Sequence, residues 1–133
     1  MGMYTELVCA FKLKQETPKD IIDILRFMAR HEDIEEYELN IPDDEFFKCA
    51  RWKWLFTSDS YYFSGDTHST VRYDDISKSY YVTIRSNLKN YDDEIHKFLK
   101  WIKPYISYSD EFIGYSRYEE CSDPELIYVS KIE

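Results

Sequence analysis

Hydrophobic and polar residues alternate from Met3 to Leu13. Leu7, Cys9, Phe11 and Leu13 fall on one face, Glu6 and Lys12 on the other. A period of two predicts a half-buried strand. Thr17-Pro18 then reads as a helix N-cap and first helical residue, with Asp20 completing a capping-box-like start. Ile21, Leu25 and Met28 recur at helical spacing beside Ile22 and Ala29, which predicts an amphipathic helix over 18–30. Residues 38–42 read as extended chain ahead of Pro42, and Asp43-Asp44-Glu45 as the start of a short helix through Phe46, Phe47 and Ala50.

Trp52, Trp54 and Phe56 alternate with Arg51, Lys53 and Leu55, so 51–57 is expected to be a strand, and Tyr61-Tyr62-Phe63 a second, short one. After the turn Ser64-Gly65-Asp66-Thr67, residues 70–74 and 79–87 read as a hairpin. Asn90 is the expected N-cap of a second helix, with Asp92, Asp93 and Glu94 in its first turn. Lys97, Lys100 and Lys103 follow, Ile95, Phe98, Leu99 and Ile102 form the buried stripe, and Pro104 ends it. Residues 112–120 and 126–132 read as two closing strands.

Helices separated by runs of antiparallel strands predict an α+β fold. The expectation is a single domain over 1–133: a mostly antiparallel sheet of five to seven strands with two main helices on one face, a ferredoxin-like core with added strands being the nearest common arrangement. A chain of 133 residues is one domain's worth and needs no metal or disulfide to fold. No apolar run approaches the length of a membrane span. The start MGMYTELV lacks the basic and apolar regions of a signal peptide, and Met3 is the expected natural first residue. Cys9, Cys49 and Cys121 form neither a disulfide framework nor a zinc pattern, which makes the cytoplasm the expected compartment.

Charge changes the picture more than composition does. Between His31 and Phe47 there is no Lys or Arg, and residues 32–45 carry −8 of the formal charge of −9. A field of that sign disfavours nucleic-acid phosphates and favours a basic partner. Glu32, Glu35, Glu36 and Glu38 are therefore candidate partner-binding residues. The chain also holds 13 Tyr, many on predicted strands. Two helices cover one face of a sheet, so Tyr81, Tyr115 and Tyr73 are expected on the other, an amphipathic surface suited to a partner or a homodimer.

Catalytic motifs are missing: no G-x-S-x-G, P-loop, G-x-G-x-x-G or H-E-x-x-H. His31 with Glu35, and His96 with Asp92, are pairs, short of the ligands a zinc site needs, so no metal or cofactor is expected. His68 lies in a loop with Asp66 and Ser69 adjacent, the polar neighbours a general base would need. In Arg51-Trp52-Lys53-Trp54 a strand would separate cations from indoles, whereas a stacking platform needs them on one face. The leading expectation is a non-enzymatic protein-interaction domain, an acidic antagonist or immunity-type inhibitor. The alternative is a small-molecule-binding domain with an aromatic pocket between sheet and helices, its candidates Trp52, Trp54 and His68.

The segments Asn87–Ile95, Phe98–Pro104 and Gly114–Glu120 resemble parts of short bacterial and phage proteins of unknown function. The resemblance covers about the last third of the chain. It implies a prokaryotic or phage accessory protein and transfers no activity and no site residues.

Overall fold

The structure, a computed structural model, describes residues 3–133; the surplus pair Met1–Gly2 expected from the second methionine lies outside them. Strand β1 spans Thr5–Lys12, helix α1 Lys19–Met28, β2 Thr70–Asp74, β3 Ser79–Leu88, α2 Glu94–Ile102, β4 Phe112–Tyr118 and β5 Glu125–Tyr128. The strands form one antiparallel sheet in the order β2-β3-β1-β4-β5. The first four strands with their two helices have the connectivity of a ferredoxin-like split β-α-β unit, and β5 is an addition at the β4 edge. The fold is α+β, as the order of periodic segments predicts.

β1 lies at the centre. It pairs with β3 over Thr5–Lys12 and with β4 over Thr5–Cys9. Its odd-numbered face (Leu7, Cys9, Phe11) packs with Val82 and Ile84 of β3 against Ile21, Ile24, Leu25 and Met28 of α1 and Ile95, Phe98 and Ile102 of α2. Both helix stripes thus belong to one core on one side of the sheet. Gly114 sits where β4 crosses closest to β1. Its φ is +153°, and a side chain there would collide with the Val8 carbonyl oxygen.

Several local expectations are corrected. Residues 51–57 are not a strand: Trp52–Trp54 form a 3-10 turn. The buried residues there are Trp52, Leu55 and Phe56, a helical i, i+3, i+4 spacing that the Trp-Lys-Trp alternation masks. Residues 61–63 are bends, not a strand. α1 begins at Lys19 without a side-chain cap, because the Thr17 hydroxyl donates to the Lys14 carbonyl and closes a turn instead. α2 begins only at Glu94, with Asp93 in the left-handed region, so Asp92 and Asp93 precede the helix. Asn90 still serves this end, its Oδ1 accepting from the Ile95 N–H at 3.0 Å. The last strand stops at Tyr128, and Val129–Lys131 form a 3-10 turn. The short helix after Asp43 is a 3-10 turn over Glu45–Lys48, capped by the Asp44 carboxylate.

The β2–β3 turn carries a visible local cost. Lys78 has φ +57°, in the left-handed region that a side chain disfavours. Asp74 holds the turn by accepting from the Ser77 N–H at 3.0 Å. Replacing Lys78 by Gly should raise stability by about 1 kcal/mol, since the strain disappears and the turn bonds remain. Urea unfolding of both proteins checks this; an unchanged or lower midpoint contradicts it.

Candidate functional site

The acidic segment is built as a rigid surface. α1 ends at Met28, and two residues on, Arg30, with a φ of +65°, turns the chain away. Glu36–Glu38 form a 3-10 turn closed by a reciprocal capping box between Glu35 and Glu38. This turn holds the Tyr37 ring in solvent, 87% exposed, and Ile41 is exposed beside it. Three cations hold the ends: Arg26 pairs with Asp33 at 2.5 Å, Lys53 with Glu36 at 2.5 Å and Lys48 with Asp43 at 3.5 Å. Glu32, Glu35, Glu38 and Glu45 take part in none of the ion pairs among the described residues. Of the four predicted glutamates, Glu36 is thus already partnered and the other three keep their charge free. The Arg26 hydrogen bond pulls the Asp33 carboxyl below its ordinary range.

The other face of the sheet departs from expectation. Register places Glu6, Val8, Ala10 and Lys12 there with Tyr81, Thr83, Arg85 and Asn87 of β3 and Tyr115 and Arg117 of β4. Tyr81 and Tyr115 are where the pattern puts them. Tyr73 is not: it pairs with Tyr80 on the helix side, at the sheet edge, with ring centroids 5.0 Å apart. Tyr81 lies beneath Arg72 at 4.8 Å and Lys12 at 6.0 Å, so the face is cationic rather than phenolic. One end of it is covered. Glu6, only 5% exposed, bridges Arg85 at 2.7 Å and Arg117 at 3.2 Å, and Phe63 of the 58–69 segment lies 5.0 Å from the Arg117 guanidinium. The same segment runs along the edge of β3, where His68 N–H donates to the Arg85 carbonyl at 2.7 Å and Asn87 N–H to the Ser58 carbonyl at 3.0 Å.

The predicted aromatic pocket dissolves into two places. Trp52 is core, 7% exposed and packed edge-on to Phe47 at 4.9 Å. Trp54 is 49% exposed and lines a cleft of about 370 Å³ at the end of β3, together with Tyr4, Arg51, Asn87, Lys89 and Glu94. This cleft opens at the sheet end beside the N-terminus of α2, not between sheet and helices. His68 lies on the exposed strap segment, outside that cleft, and its backbone does the structural work.

No protein-family model, no curated protein and no solved structure matches the chain. Among the described residues, no group of three or more His, Cys, Asp or Glu is placed to hold a metal ion, and no helix is long and apolar enough to cross a membrane. Cys9 and Cys49 are buried and free, and burial pushes the Cys9 thiol up to about 12, which leaves it protonated and inert.

Two outcomes are expected. Replacing Glu6 by Gln leaves two partly buried guanidinium groups without a counter-charge and should lower stability by about 2–3 kcal/mol, read as a fall in urea midpoint. The Asp33 pair makes a pH signature. The folded pKa is depressed, so its contribution is present above the ordinary value of 3.8 and is lost as pH falls through the lower folded value. Asp33→Asn should therefore shrink the acid-induced drop in melting temperature while leaving Asp74, held low by Ser77 in the β2–β3 turn, to titrate. An unchanged acid limb contradicts the assignment.

Proposed function

We propose that this chain is a protein-interaction domain that docks a basic partner through the acidic turn at Glu32–Glu38. The observation that carries this reading is Tyr37: an aromatic ring held almost wholly in solvent by its own capping box, beside Glu35 and Glu38, which no described cation neutralises, and Glu36, which Lys53 holds. Exposed aromatic anchors ringed by charge suit an interface, with the ring supplying burial and the charges speeding encounter. A surface of this sign repels phosphate backbones, which supports a protein rather than a nucleic acid as partner. An antagonist or immunity-type inhibitor of a basic protein is the use that fits best. Two buried thiols and a third, exposed and free, suit a reducing compartment such as the cytoplasm. A prokaryotic or phage origin rests on the resemblance in the last third of the chain.

A homodimer through the other sheet face has less support. Lys12, Arg72, Arg85 and Arg117 lie on that face with Glu6 as the acid between two of them, so two copies face to face would oppose like charges.

The test begins with capture from host lysate and continues with the purified partner. Tyr37→Ala should weaken the complex tenfold or more, mainly through faster dissociation. Converting Glu32, Glu35 and Glu38 together to Gln should slow association and flatten its salt dependence, whereas adding Glu36 to the set should change little further because Lys53 already holds it. A partner whose affinity ignores both Tyr37→Ala and the triple variant docks elsewhere, and the reading fails.

A further inference from the structure

The cleft at the end of β3 brings two cations and a half-exposed indole together. In a 3-10 turn, side chains three apart eclipse one another. Arg51 and Trp54 flank such a turn at that spacing, and both line the cleft, while Lys53 between them reaches the other way to Glu36. The turn therefore does what a strand at this place would prevent: it sets a cation and a half-exposed indole side by side. Lys89 approaches from β3's end. Neither cation has a carboxylate partner among the described ion pairs. Instead the Arg51 guanidinium lies 5.8 Å from the Tyr91 ring and the Lys89 ammonium 5.6 Å from the Tyr4 ring.

The two acids of the cleft keep their charge but are turned to hydrogen-bond donors of the chain itself. Glu94 is buried and its Oε1 accepts from the Asp92 N–H at 2.9 Å. Asp59 Oδ1 accepts from the Ser60 N–H at 2.9 Å and the Thr67 hydroxyl at 3.2 Å. Asn87 completes the wall. It is 0% exposed, its Oδ1 accepts from Arg85 Nη1 at 3.0 Å, and its Nδ2 has no hydrogen-bond partner.

We propose that this cleft binds a small planar anion: an aromatic ring that stacks on Trp54, with a phosphate or carboxylate held by Arg51 and Lys89. A volume of about 370 Å³ is at the low end for ligand pockets and suits one such molecule. Nucleoside monophosphates and aromatic carboxylates share this chemistry. The site is separate from the acidic turn, so it stands or falls independently of the docking reading.

Titration of the full chain, followed through the Trp54 indole N–H by nitrogen-edited NMR, tests it. The probes are AMP and UMP for the phosphate source, indole-3-carboxylate for the carboxylate source, and adenosine and indole as uncharged counterparts. An anionic probe should saturate the Trp54 signal and bind tenfold or more tighter than its uncharged counterpart. Arg51→Gln should remove that difference, and Trp54→Leu should abolish binding as read on the ligand's own signals. Both residues are exposed, and circular dichroism confirms that the variants fold. Tyr108→Ala, far from the cleft, should bind as the parent does. Which source binds tighter names the class. No saturable shift up to about 5 mM with any probe, equal affinity for charged and uncharged members, or binding that survives Trp54→Leu each overturns the proposal.

Discussion

Strand β1 is paired with β3 along its whole length and with β4 over its first half, and this double pairing is what the other elements are arranged around. A strand so placed has two faces and no free edge there. Its odd residues are apolar and call for helices; its even residues include Glu6, an acid fixed in the middle of a sheet. Burying that charge is tolerable because guanidinium groups reach it from both neighbouring strands, Arg85 from β3 and Arg117 from β4. The ion trio thus ties three strands together on the face that the helices leave uncovered.

The remaining surface follows from how each face is covered. Helices α1 and α2 seal one side with aliphatic residues, and an aromatic group of Phe46, Phe47, Trp52 and Trp101 packs between α2 and the 3-10 turns. The 58–69 segment straps the other side, with Phe63 over Arg117 and the Gly65 backbone so close to the Arg85 guanidinium that a side chain there would displace it. Acids and cations are thereby sorted in space. Carboxylates gather after α1, whereas Lys12, Arg72, Arg85 and Arg117 share the strapped face with Glu6, and Arg51 and Lys89 share the cleft at the sheet end with Asp59 and Glu94. A chain with a net charge of −9 thus keeps unpaired carboxylates in one region and the unpaired cations Arg51 and Lys89 in another.

Periodic segments were legible from the sequence. The alternation around Leu7 and Phe11, the stripe from Ile21 to Met28 and the stripe from Ile95 to Ile102 all lie where their spacing puts them, because period alone dictates which side chains share a face. The acidic segment was legible too, as a plain count of carboxylates. Which carboxylates stay free was not, since Glu36 is neutralised by Lys53 from seventeen positions further along. Tyr81 and Tyr115 were placed correctly; Tyr73 was not, because an edge strand's register decides its face and sequence carries no register for it.

The candidate cleft shows the limit most clearly. Residues 51–57 carry two superposed patterns: alternation through Trp52, Trp54 and Phe56, and helical spacing through Trp52, Leu55 and Phe56. Seven residues are too few for period to choose between them. Tertiary contacts decide, with Trp52 drawn into the aromatic group and the Leu55 carbonyl accepting from the buried Ser86 hydroxyl at 2.6 Å. The sequence by itself determined the helices, the central strands, the α+β class and the placement of charge along the chain, because local period and composition suffice for those. Tertiary structure alone decided that Arg51 and Trp54 share a cleft with Asn87 and Lys89, because those groups meet only through packing between segments far apart in the chain.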